Sequence, residues 1–350
     1  GRMVDPTSMQ HRDEDSDMRY TVIGAGSWGT AVAAMIAPKV ETTIWARRED
    51  VAEDITLHDR NSEYLPGLDL PPELSATTDL EDAVEGADVL VVGVPSHGFR
   101  SILESAAPRI PPNVPILSLS KGIEQGTLMR MTQVTADVLP DHDSSVIGVL
   151  TGPNLAREIV GGQPAATVIA VQDDETARTL QGVFMGPRFR VYTHSDVIGS
   201  ESAGATKNVM AIAAGMAQGM GFGDNTLATL ITRALVEMTR LGVAMGGDIR
   251  TFPGLAGLGD LVATCNSTQS RNHKVGVGLG EGRKLDDIIG EMNMVAEGVK
   301  STRGVLALSD QYGVEMPIAA QVGRVLYEGV SPVEAIGELM TREAKSEYGS

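Results

Sequence analysis

Only one cysteine, Cys265, occurs in the whole chain, so no internal disulfide can brace the fold, and a reducing, cytoplasmic setting is expected. Long apolar runs are absent too. None reaches the roughly 18 residues that a membrane helix needs, and no membrane span is expected. Positive charge is scarce: 28 Lys and Arg against 46 Asp and Glu leave a net charge of −18. Without a basic field to displace counterions, nucleic acid is excluded as a partner. The six histidines form no cluster at ligand spacing, so no metal site is expected. Cys265 has no His–Asn arrangement near it that would make it a nucleophile. The opening stretch, 1–18, lacks the apolar segment of a signal peptide and is crowded with charge. It reads as a cloning scar and a disordered lead-in.

What is present suffices for two domains. With 350 residues, 42% hydrophobic and 21% charged, the composition is that of a globular protein with a well-buried core. Over 19–196, β-type runs (19–24, 42–46, a weaker one at 74–77, 88–94, 115–119, 145–150, 165–171, 188–193) alternate with helical ones. This alternation predicts an α/β fold with a doubly wound, mostly parallel sheet. The run 88–94 is almost continuously apolar, as a strand covered on both faces must be. Over 197–345 the β-type runs stop and apolar residues recur at helical spacing (Leu227, Leu230, Ile231, Ala234, Leu235, Met238). An all-helical carboxy-terminal domain is expected there, with turns near 246–260 and 276–284 and helix starts at Pro317 and Pro332.

The first strand runs into Gly24-Ala25-Gly26-Ser27-Trp28-Gly29-Thr30 and then an alanine-rich helix. The spacing is G-x-G-x-x-G. Gly24 permits the tight turn, Gly26 lets a pyrophosphate approach the backbone, and Gly29 lets helix and strand pack closely. The helix's orphan N–H groups and positive end then meet the diphosphate, the Rossmann-type arrangement. Such glycine patterns also arise for structural reasons alone; the strand before and the helix after turn this one towards a dinucleotide site. About 20 residues beyond the glycines, where an acid would hold the ribose 2′-hydroxyl of NAD(H), stand Arg47 and Arg48. Arginines suit a 2′-phosphate and favour NADP(H); a solvated helix start with charges of both signs is the plain alternative.

If so acidic a chain binds an anion, its cations must be gathered locally. Lys121 follows the strand 115–119 at the ligand edge of the sheet, either as a surface charge or as a cation facing a substrate. Gly152-Pro153-Asn154-Leu155-Ala156 follows the next strand and offers a second helix N-terminus, or an ordinary helix start. Lys207 lies inside a small-residue helix and shares a face with Ala203, Ala211 and Ala214. Buried near another cation, such a lysine would exchange protons near neutrality. Arg271 can fork onto a phosphate, with Ser270 and Asn272 adding hydrogen bonds. Ser270 could instead be only a helix cap, and Asp260 only the carboxylate that holds a lysine. His97, at a strand end, is a further candidate acid.

In this order the motifs resemble those of the bacterial NAD(P)-dependent glycerol-3-phosphate dehydrogenase family, over about 19–340. The likeness lies in the glycine turn, Val94-Pro95-Ser96-His97, Ser120-Lys121-Gly122, Gly152-Pro153 and Ala205-Thr206-Lys207-Asn208-Val209. It continues through Ala256-Gly257-Leu258-Gly259-Asp260-Leu261, Gln269-Ser270-Arg271-Asn272 and Val295-Ala296-Glu297-Gly298. The resemblance implies a dinucleotide-binding amino-terminal domain, a helical substrate and catalytic domain, and a homodimer. It implies interconversion of dihydroxyacetone phosphate and sn-glycerol 3-phosphate, feeding phospholipid synthesis. By motif position, Lys207 is the acid/base, and Lys121, Gly152, Asn154, Asp260, Ser270, Arg271 and Asn272 face the substrate. Gly24, Gly26, Ser27, Trp28, Gly29, Arg47, Arg48, Lys121, Ala156, Arg271, Val295 and Glu297 approach NADP(H) or NAD(H). Two departures stand out: Asn154-Leu155 replaces the family's Ser or Thr followed by Phe, and Thr206 replaces an aliphatic residue. The rival readings are a β-hydroxyacid or sugar-phosphate-acid dehydrogenase of similar architecture, and a non-catalytic nicotinamide-nucleotide sensor.

Overall fold

The computed structural model describes residues 18–292, 296–343 and 346–347; the lead-in expected at 1–18 therefore falls, but for Met18, outside the described residues. By contact the chain divides into two compact units, one up to Glu124 and from Met129 to Glu201, the other Gln125–Leu128 and Ser202 onward.

The first unit is built on an eight-stranded sheet. Its strands are β1 (Arg19–Ile23), β2 (Glu41–Trp45), β3 (Ser75–Thr77), β4 (Val89–Val92), β5 (Ile116–Ser118), β6 (Ile147–Thr151), β7 (Ala165–Ala170) and β8 (Phe189–His194). Between them run α1 (Ser27–Ile36), α2 (Glu49–His58), α3 (Leu80–Val84), α4 (Ser96–Ala106), α5 (Met131–Val138), α6 (Ala156–Val160) and α7 (Asp174–Phe184). The strand order is β3-β2-β1-β4-β5-β6-β7-β8, so the winding reverses between β1 and β4, where sheets of this kind leave a crevice for ligands. Register then fixes what meets at that edge. Ile23 pairs with both Trp45 and Val92, Val92 with Ser118, and Ser118 with Val149. The loops that begin at Gly24, Ala46, Gly93, Leu119 and Gly152 consequently all leave from the same side.

Alternation within each strand feeds two apolar layers. Val22, Val89 and Val91 join one core with Ile36, Ile55 and Phe184, while Ile23, Leu90 and Val92 join another with Phe99, Leu103 and Val134. All four residues of β4 are buried, as its unbroken apolar run predicts. One pairing departs from the rest: β6 and β7 run antiparallel, and β8 follows β7 in parallel. The cause is the connection. The five-residue α6 spans only about 7 Å and does not carry the chain back along β6, so β7 returns beside it in the opposite sense.

The second unit is helical. It takes α8 (Val197–Gly219) from Ser202 onward, then α9 (Asp224–Ala244), a 3-10 turn Ile249–Thr251, a π-helical turn Leu255–Gly259 and α10 (Asp260–Asn266). There follow α11 (Arg271–Gly280), α12 (Leu285–Gly290), α13 (Glu297–Tyr312), α14 (Pro317–Glu328) and α15 (Pro332–Met340), with Pro317 and Pro332 at helix starts as predicted. From Ser202 to Ala217 every residue of α8 is buried, the mark of a helix enclosed on all sides. Its small residues make that possible. A Cβ on Gly215 would lie 2.1 Å from the His273 carbonyl oxygen, and one on Gly276 would lie 2.1 Å from that of Ile212. Gly219 and Gly280 repeat the contact one turn on, at 2.2 Å from the Val277 oxygen and 2.3 Å from the Met216 oxygen. The glycines expected to open a turn near 276–284 thus lie mostly within α11, where they let two backbones touch. No helix of the described residues is long and apolar enough to cross a membrane.

Glu237 of α9 closes this helical unit with a buried carboxylate. It accepts hydrogen bonds from the Ile318 and Ala319 N–H groups, at 2.8 and 3.3 Å, at the start of α14. Burial pushes its carboxyl up to about 7, against the downward pull of those N–H groups and of Arg233 and Arg240. A carboxyl raised on folding stabilises most below its unfolded value, and that stability is lost as pH rises through the folded one. Glu237 is expected to add a downward slope to the melting temperature from pH 5 to pH 8, contributing on the order of 3 kcal/mol at most, while His273, whose imidazole burial holds low, adds an upward one. Glu237→Gln is expected to remove the downward part; thermal melts of both proteins across that range check it, and equal slopes would contradict it.

Candidate functional site

In the first unit the chain leaves β1 through Gly24, whose φ of +115° and close approach to Gly93 both require glycine. A Cβ there would stand 2.7 Å from the Gly93 carbonyl oxygen, and one on Gly29 would stand 2.0 Å from that of Gly24. Gly26 is different. Its φ is −73° and a Cβ on it would meet nothing within 4 Å, so the fold itself gives no reason for glycine there. As the N-cap of α1 it brings no side chain to the first-turn N–H groups. The Trp28 indole N–H, shielded from solvent, finds no hydrogen-bond partner among the described residues. Space at Gly26, a helix start without a side-chain cap and an unpartnered indole N–H are what a dinucleotide diphosphate fits.

A loop holds this turn in place. Buried Asn61 donates through Nδ2 to the Ala25 oxygen at 3.0 Å and to Thr30 Oγ1 at 2.9 Å. Ser27 Oγ donates to the Tyr64 oxygen at 3.0 Å. Nothing in periodicity or motif marks Asn61, because the contact spans 36 residues and lies in a loop. Arg47 is exposed. Arg48, the N-cap of α2, is engaged by Asp50, with Nε to Oδ1 at 2.9 Å, and stands 3.6 Å from Glu63.

Along the same edge, Lys121 Nζ donates to the Gly152 carbonyl oxygen at 3.2 Å. Two of the predicted residues are thereby brought together. Asn154 is turned elsewhere: Oδ1 accepts from Thr167 Oγ1 at 2.8 Å and Nδ2 donates to the Ala166 oxygen at 3.3 Å, tying it to β7. Ala156 opens α6 and is half-buried, and His97 is exposed at the start of α4.

In the second unit the central feature is a buried ion pair. Lys207, 6% exposed, donates to Asp260 Oδ1 at 2.8 Å and to Thr264 Oγ1 at 2.7 Å. Thr264 in turn donates to Asp260 Oδ1 at 3.1 Å. The π-helical turn Leu255–Gly259 delivers Asp260 to the first position of α10, and Thr264 lies one helical turn on. That i, i+4 spacing was the available signal for Thr264, which sequence reasoning missed. Within this unit the charged partner shown for Lys207 is the Asp260 carboxylate, the lysine-holding role that the sequence offered for Asp260, and not the second cation that it suggested for Lys207. Cys265 is buried beside them, and burial pushes its thiol up to about 12, so it stays protonated.

Ser270 caps α11, its Oγ accepting from the His273 N–H at 3.2 Å. Asn272 Oδ1 accepts from the Gly298 N–H at 2.8 Å, joining the starts of α11 and α13. Arg271 and Glu297 are the first residues of those helices and are half-buried. A Cβ on Gly298 would stand 2.6 Å from the Asn208 oxygen, so α13 also abuts α8 next to Lys207. Two helix N-termini joined in this way, one of them opening on Arg271, suit a phosphate. Val295 lies outside the described residues. Among the described residues no group of three or more His, Cys, Asp or Glu could hold a metal ion.

Comparison with known proteins agrees along the chain. The model of the NAD-dependent glycerol-3-phosphate dehydrogenase N-terminus matches residues 19–177, and that of the C-terminus matches residues 196–337. A protein of Sphingopyxis alaskensis named glycerol-3-phosphate dehydrogenase [NAD(P)+] 2 is 54% identical over 305 residues, 87% of this chain and 91% of its own. One of Corynebacterium urealyticum named glycerol-3-phosphate dehydrogenase [NAD(P)+] is 53% identical, over 94% of this chain and all of its own. The crystal structure of glycerol-3-phosphate dehydrogenase from Coxiella burnetii superposes with a TM-score of 0.88 at 36% identity, covering 93% of this chain and 99% of that one.

Because a Cβ at position 26 meets no protein atom, Gly26→Ala is expected to leave the melting temperature unchanged while weakening dinucleotide binding at least about tenfold. Calorimetric titration with NADPH alongside a thermal melt checks both halves. Unchanged affinity in a folded variant would remove the diphosphate from this turn.

Proposed function

Because the chain belongs to the NAD-dependent glycerol-3-phosphate dehydrogenase family, we propose that it interconverts dihydroxyacetone phosphate and sn-glycerol 3-phosphate with NADPH or NADH, with Lys207 as its acid/base. The observation that carries the assignment is the amine of Lys207, buried yet held by Asp260 and Thr264. A buried ion pair stabilises no more than apolar packing of the same volume would, so its retention in a helix of small residues calls for a task.

The turn at Gly24, Gly26 and Gly29, with Ser27 and Trp28, holds the diphosphate and neighbouring ribose, and Arg47 and Arg48 stand at the adenosine end. A nicotinamide bound there supplies the hydride that turns the ketone carbon into a carbinol. Lys207 gives its proton to the carbonyl oxygen as negative charge develops on it, and Lys121 stabilises that charge. In the oxidative direction neutral Lys207 takes the hydroxyl proton back. Arg271, with the N–H groups at the start of α11, binds the phosphate, and this remote grip positions the reacting carbon. Ser270 and Asn272 serve by fixing that helix start, and Asp260 by holding the amine. The product feeds phospholipid synthesis in the cytoplasm, and the active form is a homodimer.

Oxidation of NADPH on addition of dihydroxyacetone phosphate, followed by its absorbance, tests the activity directly; no decrease would refute it. Lys207→Ala is expected to lower kcat by about a hundredfold or more with nucleotide affinity unchanged. Near wild-type turnover would return Lys207 to a structural role. Since oxidation needs the neutral amine, its rate profile is expected to lie at higher pH than that of reduction. Superimposable profiles would count against Lys207 as the proton carrier.

A further inference from the structure

Two acids beside the glycine turn are left without a role in the reaction. Arg48 stands just beyond the carboxyl end of β2, whose last residue, Trp45, accepts the Gly24 N–H at 3.0 Å. This is where a ribose 2′ substituent comes to rest. The guanidinium fork that would suit a 2′-phosphate is taken by Asp50, which it meets through both Nε and Nη2. Glu63 approaches its remaining face at 3.6 Å. That contact is set by the loop that pins the turn: Asn61 accepts from the Tyr64 N–H at 3.2 Å and Tyr64 accepts from Ser27, with Glu63 between them. Arg47, next in the chain, is exposed.

The geometry points to Asp50 and Glu63 as the residues that set discrimination between 2′-phosphorylated and 2′-hydroxyl nicotinamide nucleotides, by holding the Arg48 fork against the phosphate. The inference rests on the reading that the glycine turn holds the nucleotide. A phosphate entering this corner must displace Asp50 from a bidentate pair and approach two carboxylates, whereas a ribose hydroxyl meets neither cost. Arg47 is left as an exposed cation next to the phosphorylated form. Preference is thereby moderated rather than absolute, although two arginines stand in the strand-end motif.

The test is equilibrium binding at low ionic strength, by calorimetry, of NADPH and NADH, and of adenosine 2′,5′-bisphosphate against 5′-AMP as probes of the adenosine end. Asp50→Asn is expected to tighten NADPH and the bisphosphate about threefold, and Asp50→Asn with Glu63→Gln about fivefold, the scale of exposed ion pairs. NADH and 5′-AMP are expected to change less than twofold, and added salt to shrink the gain. Arg48→Ala in the Asp50→Asn background is expected to cancel it, as a double-mutant cycle requires. Unchanged NADPH affinity in folded variants, or equal tightening of all four ligands, would overturn the proposal while leaving the nucleotide site intact. Failure of the wild-type protein to bind either nucleotide would overturn the reading of the glycine turn, and the proposal with it.

Discussion

The interaction on which the helical unit depends is the charge-assisted hydrogen bond between Lys207 and Asp260. A buried ammonium and a buried carboxylate tolerate burial only because each satisfies the other, with Thr264 taking a further bond from the amine. Much of the surrounding structure follows. The π-helical turn brings Asp260 to the start of α10, and α8 is made of residues small enough to be enclosed on every side. The same enclosure explains the inert Cys265, whose thiol is disfavoured as an anion by burial and by Asp260.

Far more of the sheet was legible in the sequence than of the helical unit. All eight strands lie where the β-type runs put them: β4, covered on both faces, writes itself as a continuous apolar run, and β8 as an alternation of buried and exposed residues. The direction of β7 was not legible, since it follows from the length of the connection through α6 rather than from any residue within the strand. In the helical unit glycine misled: Gly276 and Gly280 look like turn formers, but they are the gaps into which another helix's backbone fits. Glycine codes for absence of a side chain, and what fills the space is a property of the partner.

At the site, sequence motifs named residues but not what their side chains hold. Asn154 hydrogen-bonds Thr167 and Asn272 accepts from Gly298, contacts that no motif announces, while Ser270 caps α11. Lys121 and Gly152, 31 residues apart, do meet, as two strand ends in register allow. Asn61 escaped notice because its function is to satisfy two atoms of a distant turn, and no periodicity encodes that. Arg48 shows the converse: its identity fitted a phosphate, and its actual partners are two acids.

The backbone-to-backbone seam between α8 and α11 has a mechanical consequence. Gly215 and Gly219 lie against His273, Gly276 and Val277 with less clearance than a methyl group, and Gly276 and Gly280 lie equally close to Ile212 and Met216. Helices locked at two successive turns cannot slide or rotate past one another without collision. The backbone that carries residue 207 and the helix start at residue 271 therefore travel as one stiff piece, like the jaws of a caliper set to a single gap. Whatever the rest of the molecule does on meeting its ligand, the span between those two stretches of backbone is preset by glycine.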